Sequence, residues 1–290
     1  MNLSLLCVCA LSLISQVVGN GVMNPFASSL ADNLQDSLTS RPLADVNRNN
    51  DDPPVVRLQD GRTLTGGWEM AGTVAVFKGV RYAMPPLGNR RWASPEMYVP
   101  SSSNEQVDAS RFADYCIQSS NAGSNAGEVT GNEDCLYLNI YVGKEVYEQA
   151  VSSSSHNHDN SVPIGFWIHG GSYKSGSSNQ YESSDLVHFW KGKGIVVTIN
   201  YRLNVFGFLG GDALRRQSIN GGTGNYGIED QRLAMQWVNE NIARFGGDKN
   251  QVMVYGKHGL LLLLSTIIIT ITIIITITTI RISVSALLYH

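Results

Sequence analysis

Two uninterrupted apolar runs constrain this chain more than any other feature. They are Pro163-Ile164-Gly165-Phe166-Trp167-Ile168 and Gly194-Ile195-Val196-Val197-Thr198-Ile199-Asn200. Each has the length of a strand, and neither alternates with polar residues. A strand apolar at successive positions is buried on both faces, the pattern of a parallel sheet covered by helices on either side. Residues 229–245 have helical spacing, with Leu233, Trp237 and Ile242 on one face, and Gly246-Gly247-Asp248 ends that helix. Val252-Met253-Val254-Tyr255 supplies a further short buried strand. Strands alternating with a helix predict an α/β fold, mostly parallel, with right-handed crossovers.

Toward the N-terminus the pattern is shorter. Val55-Val56-Arg57-Leu58 before Asp60-Gly61 reads as a strand and a hairpin turn, and Thr73-Val74-Ala75-Val76-Phe77 as a second strand. Pro85-Pro86-Leu87-Gly88 closes that section, because proline cannot donate to a ladder. Residues 136–142 are again strand-like. Residues 20–54 are rich in Ser, Asn and Asp and form a flexible lead-in. Residues 152–160 read as a polar surface loop, and His156 and His158 within it are too few ligands for a metal site.

Residues 1–19 hold an uncharged apolar run followed by small residues, the form of a secretory signal peptide, although the usual leading Lys or Arg is missing. Cys7 and Cys9 leave with it. Cys116 and Cys135 remain, most simply as a disulfide in a secreted chain, with two free thiols as the alternative. Closing that loop adds about 3 kcal/mol in the chain-entropy picture. No Asn-x-Ser/Thr sequon follows residue 19, so no N-glycosylation is expected. The formal net charge of −3, with no block of Lys or Arg, points away from nucleic acid.

Five stretches, in order, resemble the type-B carboxylesterases, a group that includes cholinesterases and the non-catalytic neuroligins. They are Phe77-Lys78-Gly79-Val80-Arg81-Tyr82-Ala83 with Pro85-Pro86-Leu87-Gly88; Glu133-Asp134-Cys135-Leu136-Tyr137-Leu138-Asn139-Ile140-Tyr141; and Trp167-Ile168-His169-Gly170-Gly171-Ser172-Tyr173. Asn200-Tyr201-Arg202-Leu203-Asn204-Val205-Phe206-Gly207-Phe208-Leu209 follows. The last runs from Gly224-Asn225-Tyr226-Gly227 through Asp230-Gln231 and Trp237-Val238 to Phe245-Gly246-Gly247-Asp248.

The resemblance implies an α/β-hydrolase fold with helices on both faces of the sheet, of which residues 55–256 are only the front part. It implies serine acyl transfer on small carboxylic esters, with no cofactor and no metal. Gly170, Gly171 and Ser172 would form the oxyanion loop, since backbone N–H groups aimed at a developing oxyanion stabilise it without reorganising. Ser172 stands where the family often has a third glycine. His169 orders the loop rather than acting as a base, Cys116 pairs with Cys135, and Arg202, Glu229 and Asp230 are structural ion-pair positions.

The resemblance stops at Gly256. The family continues Gly-Glu-Ser-Ala-Gly, where a strained turn exposes the serine nucleophile. This chain reads Gly256-Lys257-His258-Gly259, so His258 takes the nucleophile's place, and no catalytic residue is present. Residues 257–290 form an Ile/Thr-rich tail unlike any family segment. Gly256-Lys257 can be encoded as GGT-AAG, which contains the GTAAG of a splice donor, and the tail reads as a translated intron. A membrane anchor is the competing reading, since residues 259–280 carry no charge and are long enough to span a bilayer. Function divides accordingly between a secreted ester hydrolase whose present form is inactive and a neuroligin-like adhesion or binding protein, the latter membrane-anchored if the tail is real.

Overall fold

Residues 195–199 are fully buried, and the rest of the fold is arranged to cover them from two sides. The computed structural model describes residues 52–119, 127–152 and 161–257, with the backbone of Ser283 and Val284. In chain order the strands are β1 (Val55–Arg57), β2 (Thr63–Thr65), β3 (Gly67–Glu69), β4 (Val74–Arg81), β5 (Gln106–Asp108), β6 (Gln118–Ser119), β7 (Val129–Thr130), β8 (Tyr137–Gly143), β9 (Val162–Ile168), β10 (Ile195–Ile199), β11 (Gly247–Gly256) and β12 (Ser283–Val284). The helices are α1 (Lys144–Ser152), α2 (Ser184–Phe189), α3 (Asn204–Phe208), α4 (Asp212–Gln217) and α5 (Tyr226–Asn241).

The main sheet has the order β12-β11-β9-β10-β8-β4-β3. One half is parallel: β12 with β11, β11 with β9, and β9 with β10. The other half is antiparallel: β10 with β8, β8 with β4, and β4 with β3. The expectation of a mostly parallel sheet is therefore corrected to a mixed one. An apolar run reports burial on both faces but carries no information about strand direction, and antiparallel β8 is no less buried than β9 in the parallel half.

Successive residues point to opposite faces, so the two layers of core interleave in sequence. Phe77, Ile140, Phe166 and Val197 face α5, whose Ala234, Trp237 and Val238 fill that side together with Ile242 and Phe245. Their neighbours Val76, Tyr141 and Val196 face Val187 of α2. Helices thus cover both faces, as expected. The rings of Phe77 and Phe245 meet edge to face at 5.1 Å. Tyr147 of α1 binds both backbone groups of Val55, which docks the small β1-β2-β5 sheet on the same core.

The second face also buries polar groups, and several find internal partners. Asn139 donates to Ser178 Oγ and Thr198 Oγ1, both at 3.0 Å, and accepts from Gly79 N–H at 2.9 Å. Lys78 lies between Glu69 and Glu182. Burial disfavours its charge, but the two carboxylates outweigh that and hold its pKa above the ordinary lysine value.

Element limits differ from expectation in instructive places. The second strand runs on to Arg81 through a register shift between Phe77 and Val80. Lys78 and Gly79 hid that continuation in the apolar pattern. The helix begins at Tyr226, and its last part, Ile242–Phe245, is a 3-10 turn that stops at Gly246 with φ 88°. The end of the N-terminal lead-in is anchored, since Trp68 donates to Asp52 O at 2.9 Å and Gly66 N–H to Pro54 O at 2.8 Å. Residues 1–19, the rest of the lead-in, residues 153–160 and the 259–280 run lie outside the described residues.

The core sets a clear expectation. Replacing the fully buried Phe77 by Ala lowers unfolding free energy by about 3–5 kcal/mol, whereas Phe189→Ala, at an exposed position, changes it by less than about 0.5 kcal/mol. Denaturant titration of the two variants distinguishes them.

Candidate active site

At the end of β9 the chain leaves the sheet as His169-Gly170-Gly171-Ser172-Tyr173 and folds back on itself. Lys174 and Ser175 N–H both donate to Gly171 O, at 2.9 and 3.1 Å. The backbone is left-handed at three successive residues, with φ 120° at Gly171, 54° at Ser172 and 59° at Tyr173. At Gly170 the chain passes close to the end of β11: a Cβ there would lie 2.5 Å from Lys257 O. Among the described residues, no backbone carbonyl accepts a hydrogen bond from Gly170, Gly171 or Ser172 N–H. Such a turn can present its N–H groups to an anion.

His169 supports this turn from below. It is 1 % exposed and stacks on Tyr201 with ring centroids 4.4 Å apart. Its Nδ1 lies 2.9 Å from Gly170 O, and because a carbonyl can only accept, Nδ1 carries the proton. Tyr201 donates its hydroxyl to His169 O at 2.8 Å. Burial pushes the imidazole pKa down to about 4, against a weaker opposing effect of the Gly170 hydrogen bond. The ring is therefore neutral at physiological pH and acts as a brace, in line with the role expected for it.

The other site expectations divide. Cys116 and Cys135 are bonded, with S–S 2.02 Å. Arg202 and Asp230 form a buried two-pronged ion pair, Nη2 to Oδ1 at 2.7 Å and Nε to Oδ2 at 2.8 Å, and Asp230 also accepts from Arg202 N–H. Burial disfavours the guanidinium charge, but Asp230 more than restores it. Glu229 is not hydrogen-bonded into that pair: its buried Oε2 has no hydrogen-bond partner among the described residues, although its charge also favours the charged Arg202. His258 lies outside the described residues. A crevice lined by Arg91, Cys116, Glu133, Cys135, Leu203 and Phe206 sits beside the disulfide, and none of residues 169–176 lines it.

Sequence reasoning did not single out Tyr201, Gln118 or Asn204 as supports of the loop. Asn204 binds it at two points, by N–H to Tyr173 O at 2.8 Å and by Nδ2 to Lys174 O at 2.7 Å. Only its left-handed φ of 52°, a conformation Asn tolerates, connects to its residue type.

Two outcomes follow from these geometries. Unfolded His169 titrates near the ordinary 6.5 and the folded ring near 4. Stability from the neutral ring is therefore full above about pH 6.5 and falls as pH drops toward 4, by on the order of 3 kcal/mol. A His169→Gln variant loses that part of the pH dependence of the denaturation midpoint. Asp230→Asn strands the buried Arg202 charge and destabilises the fold by about 3–5 kcal/mol. Replacing both residues by apolar ones recovers much of that loss in the same titration.

The family model described as carboxylesterase family matches residues 52–259. Fumonisin B1 esterase of Sphingopyxis macrogoltabida is 36% identical over 234 residues, which cover 80% of this chain and 39% of that protein. Neuroligin-3 of Mus musculus is 35% identical over 217 residues, 65% of this chain and 25% of that protein. Among solved structures, Aspergillus niger EstA matches with a TM-score of 0.57 at 27% identity, over 72% of this chain and 36% of that one. A Geobacillus stearothermophilus carboxylesterase matches with a TM-score of 0.53 at 35% identity, over 70% and 38%. The chain spans about two fifths or less of the length of each of these proteins. From the ordered motifs, the mixed sheet with helices on both faces, and these matches, the chain belongs to the carboxylesterase family.

Proposed function

We propose that the gene's correctly spliced product is a secreted hydrolase of small carboxylic esters, working by serine acyl transfer without metal or cofactor. The observation that carries this reading is the left-handed glycine turn after β9, whose N–H groups are not taken up by backbone carbonyls among the described residues. In that reaction a serine Oγ attacks the ester carbonyl carbon and gives its proton to a histidine. The carbonyl oxygen becomes negative, and Gly170, Gly171 and Ser172 N–H stabilise it. The alcohol leaves with the proton, and water then releases the acid from the acyl-enzyme. Residues 1–19 serve as the secretion signal.

The present chain has His258 where the family has its serine, and we read it as inactive, with the Ile/Thr tail translated from an intron. The approach of Lys257 O to Gly170 supports placing the family nucleophile beside this loop, because the next residue along is the one that differs. A second reading, a neuroligin-like binding protein on the same fold, is favoured by Ser172 in the third-glycine position and by the similarity to neuroligin-3. On that reading the uncharged 259–280 run is the membrane anchor. Among the described residues, no helix is long and apolar enough to cross a membrane.

A fluorophosphonate probe and transcript sequencing separate these readings. The chain as written stays unlabelled, and a spliced transcript continues from Gly256 as Glu-Ser-Ala-Gly into a product that labels. Transcripts reading only Gly-Lys-His at this point overturn the esterase reading in favour of the binding protein.

A further inference from the structure

The segment closed by the disulfide carries a side chain that grips the glycine turn. Gln118 accepts from Gly176 N–H through Oε1 at 2.8 Å and donates to Gly176 O through Nε2 at 2.9 Å. The same Nε2 donates to Cys116 O at 3.0 Å, which ties the amide to the backbone of the bridged cysteine. A carboxamide offers donor and acceptor side by side, and this arrangement uses both. Gly176 in turn leans on the turn itself: a Cβ there would stand 2.4 Å from Gly170 O and 2.6 Å from His169 Nδ1. Gly170 O is the atom that fixes the imidazole.

Such a grip answers a physical need. Ser172 and Tyr173 are not glycines, yet both sit at positive φ. Residues in that region persist when their surroundings over-determine them. N–H groups that stabilise a developing charge must also be fixed before the charge appears. Asn204 supplies one restraint, reaching Lys174 O at 2.7 Å and Ile117 O at 3.4 Å. Gln118 supplies the other, two residues further along the chain, at Gly176.

We infer that Gln118 is a positioning residue for the glycine turn, transmitting the rigidity of the Cys116–Cys135 bridge through Gly176 to Gly170, Gly171 and Ser172. Its consequence for catalysis rests on the esterase reading above, whereas the mechanical restraint does not. Amide-resolved hydrogen exchange on the full, disulfide-bonded chain tests it. Gln118→Leu keeps the bulk and removes both contacts to Gly176. Exchange at Gly176 and its neighbours in the turn then accelerates roughly tenfold or more, with residues 195–199 unchanged. Gln118→Glu keeps the acceptor and loses the donor, so Gly176 N–H returns toward its original slow exchange. Unchanged exchange in the turn of Gln118→Leu, or equal acceleration across the whole sheet in both variants, overturns the inference. Exchange needs no chemistry, so failure of the esterase reading leaves a different signature: a restrained turn in a product that no fluorophosphonate labels.

Discussion

Burial of the central strands on both faces is the constraint from which the rest of the molecule follows. Once β8, β9 and β10 have no solvent-facing side, every polar group they carry needs an internal partner. Asn139 and Thr198 find each other, Lys78 on neighbouring β4 finds two carboxylates, and Arg202 at the exit of β10 finds Asp230 on α5. Apart from Glu69 on the adjoining strand, these partners come from elements far apart in sequence. The polar contacts therefore fix how the layers register, while apolar burial supplies most of the stabilisation.

The glycine turn draws on the same scaffold. His169 is neutral because it is buried, and it is buried because it stacks beneath the turn on Tyr201. Tyr201 directly follows the short polar exit of β10, so two neighbouring parallel strands meet through one ring stack. The disulfide, Gln118 and Asn204 then restrain the turn from its outer side. A loop with three left-handed residues is in this way held by contacts that its own sequence does not contain.

The sequence displayed burial far better than direction. Apolar runs located β9, β10 and β11, and the helical face of Leu233, Trp237 and Ile242 was legible because periodicity reports which side is covered. Strand direction was not legible, and the antiparallel half of the sheet emerged only in three dimensions. Lys78 interrupted the pattern of β4 because its neutralising partners, Glu69 and Glu182, cannot be identified along the chain. The motif His169-Gly170-Gly171-Ser172-Tyr173 announced its own turn. Its restraints did not, since a glutamine beside a cysteine looks like any surface polar residue until its amide is seen on Gly176. The family resemblance grouped Glu229 with Arg202 and Asp230, yet neighbouring helix positions point in different directions, and of the two carboxylates Asp230 is the one hydrogen-bonded to the guanidinium.

Strand β11 pairs with β9 rung for rung, ending with Gly256 opposite Ile168. The segments that leave these two strands therefore start from the same level of the sheet, one entering the glycine turn and the other passing over Gly170. Their relative height is set by residue count alone, at about 3.3 Å per residue. Between Gly247 and Val252 the ladder already accommodates an irregularity, so length change is absorbed there. From Val252 onward there is no such slack. A single inserted or deleted residue in that stretch would reverse the facing of every side chain beyond it and shift the two segments out of phase. Chain-length variation among descendants of this sequence should accumulate before Val252 and in the connection between α1 and β9, leaving the last rungs as a fixed ruler between the two strand ends.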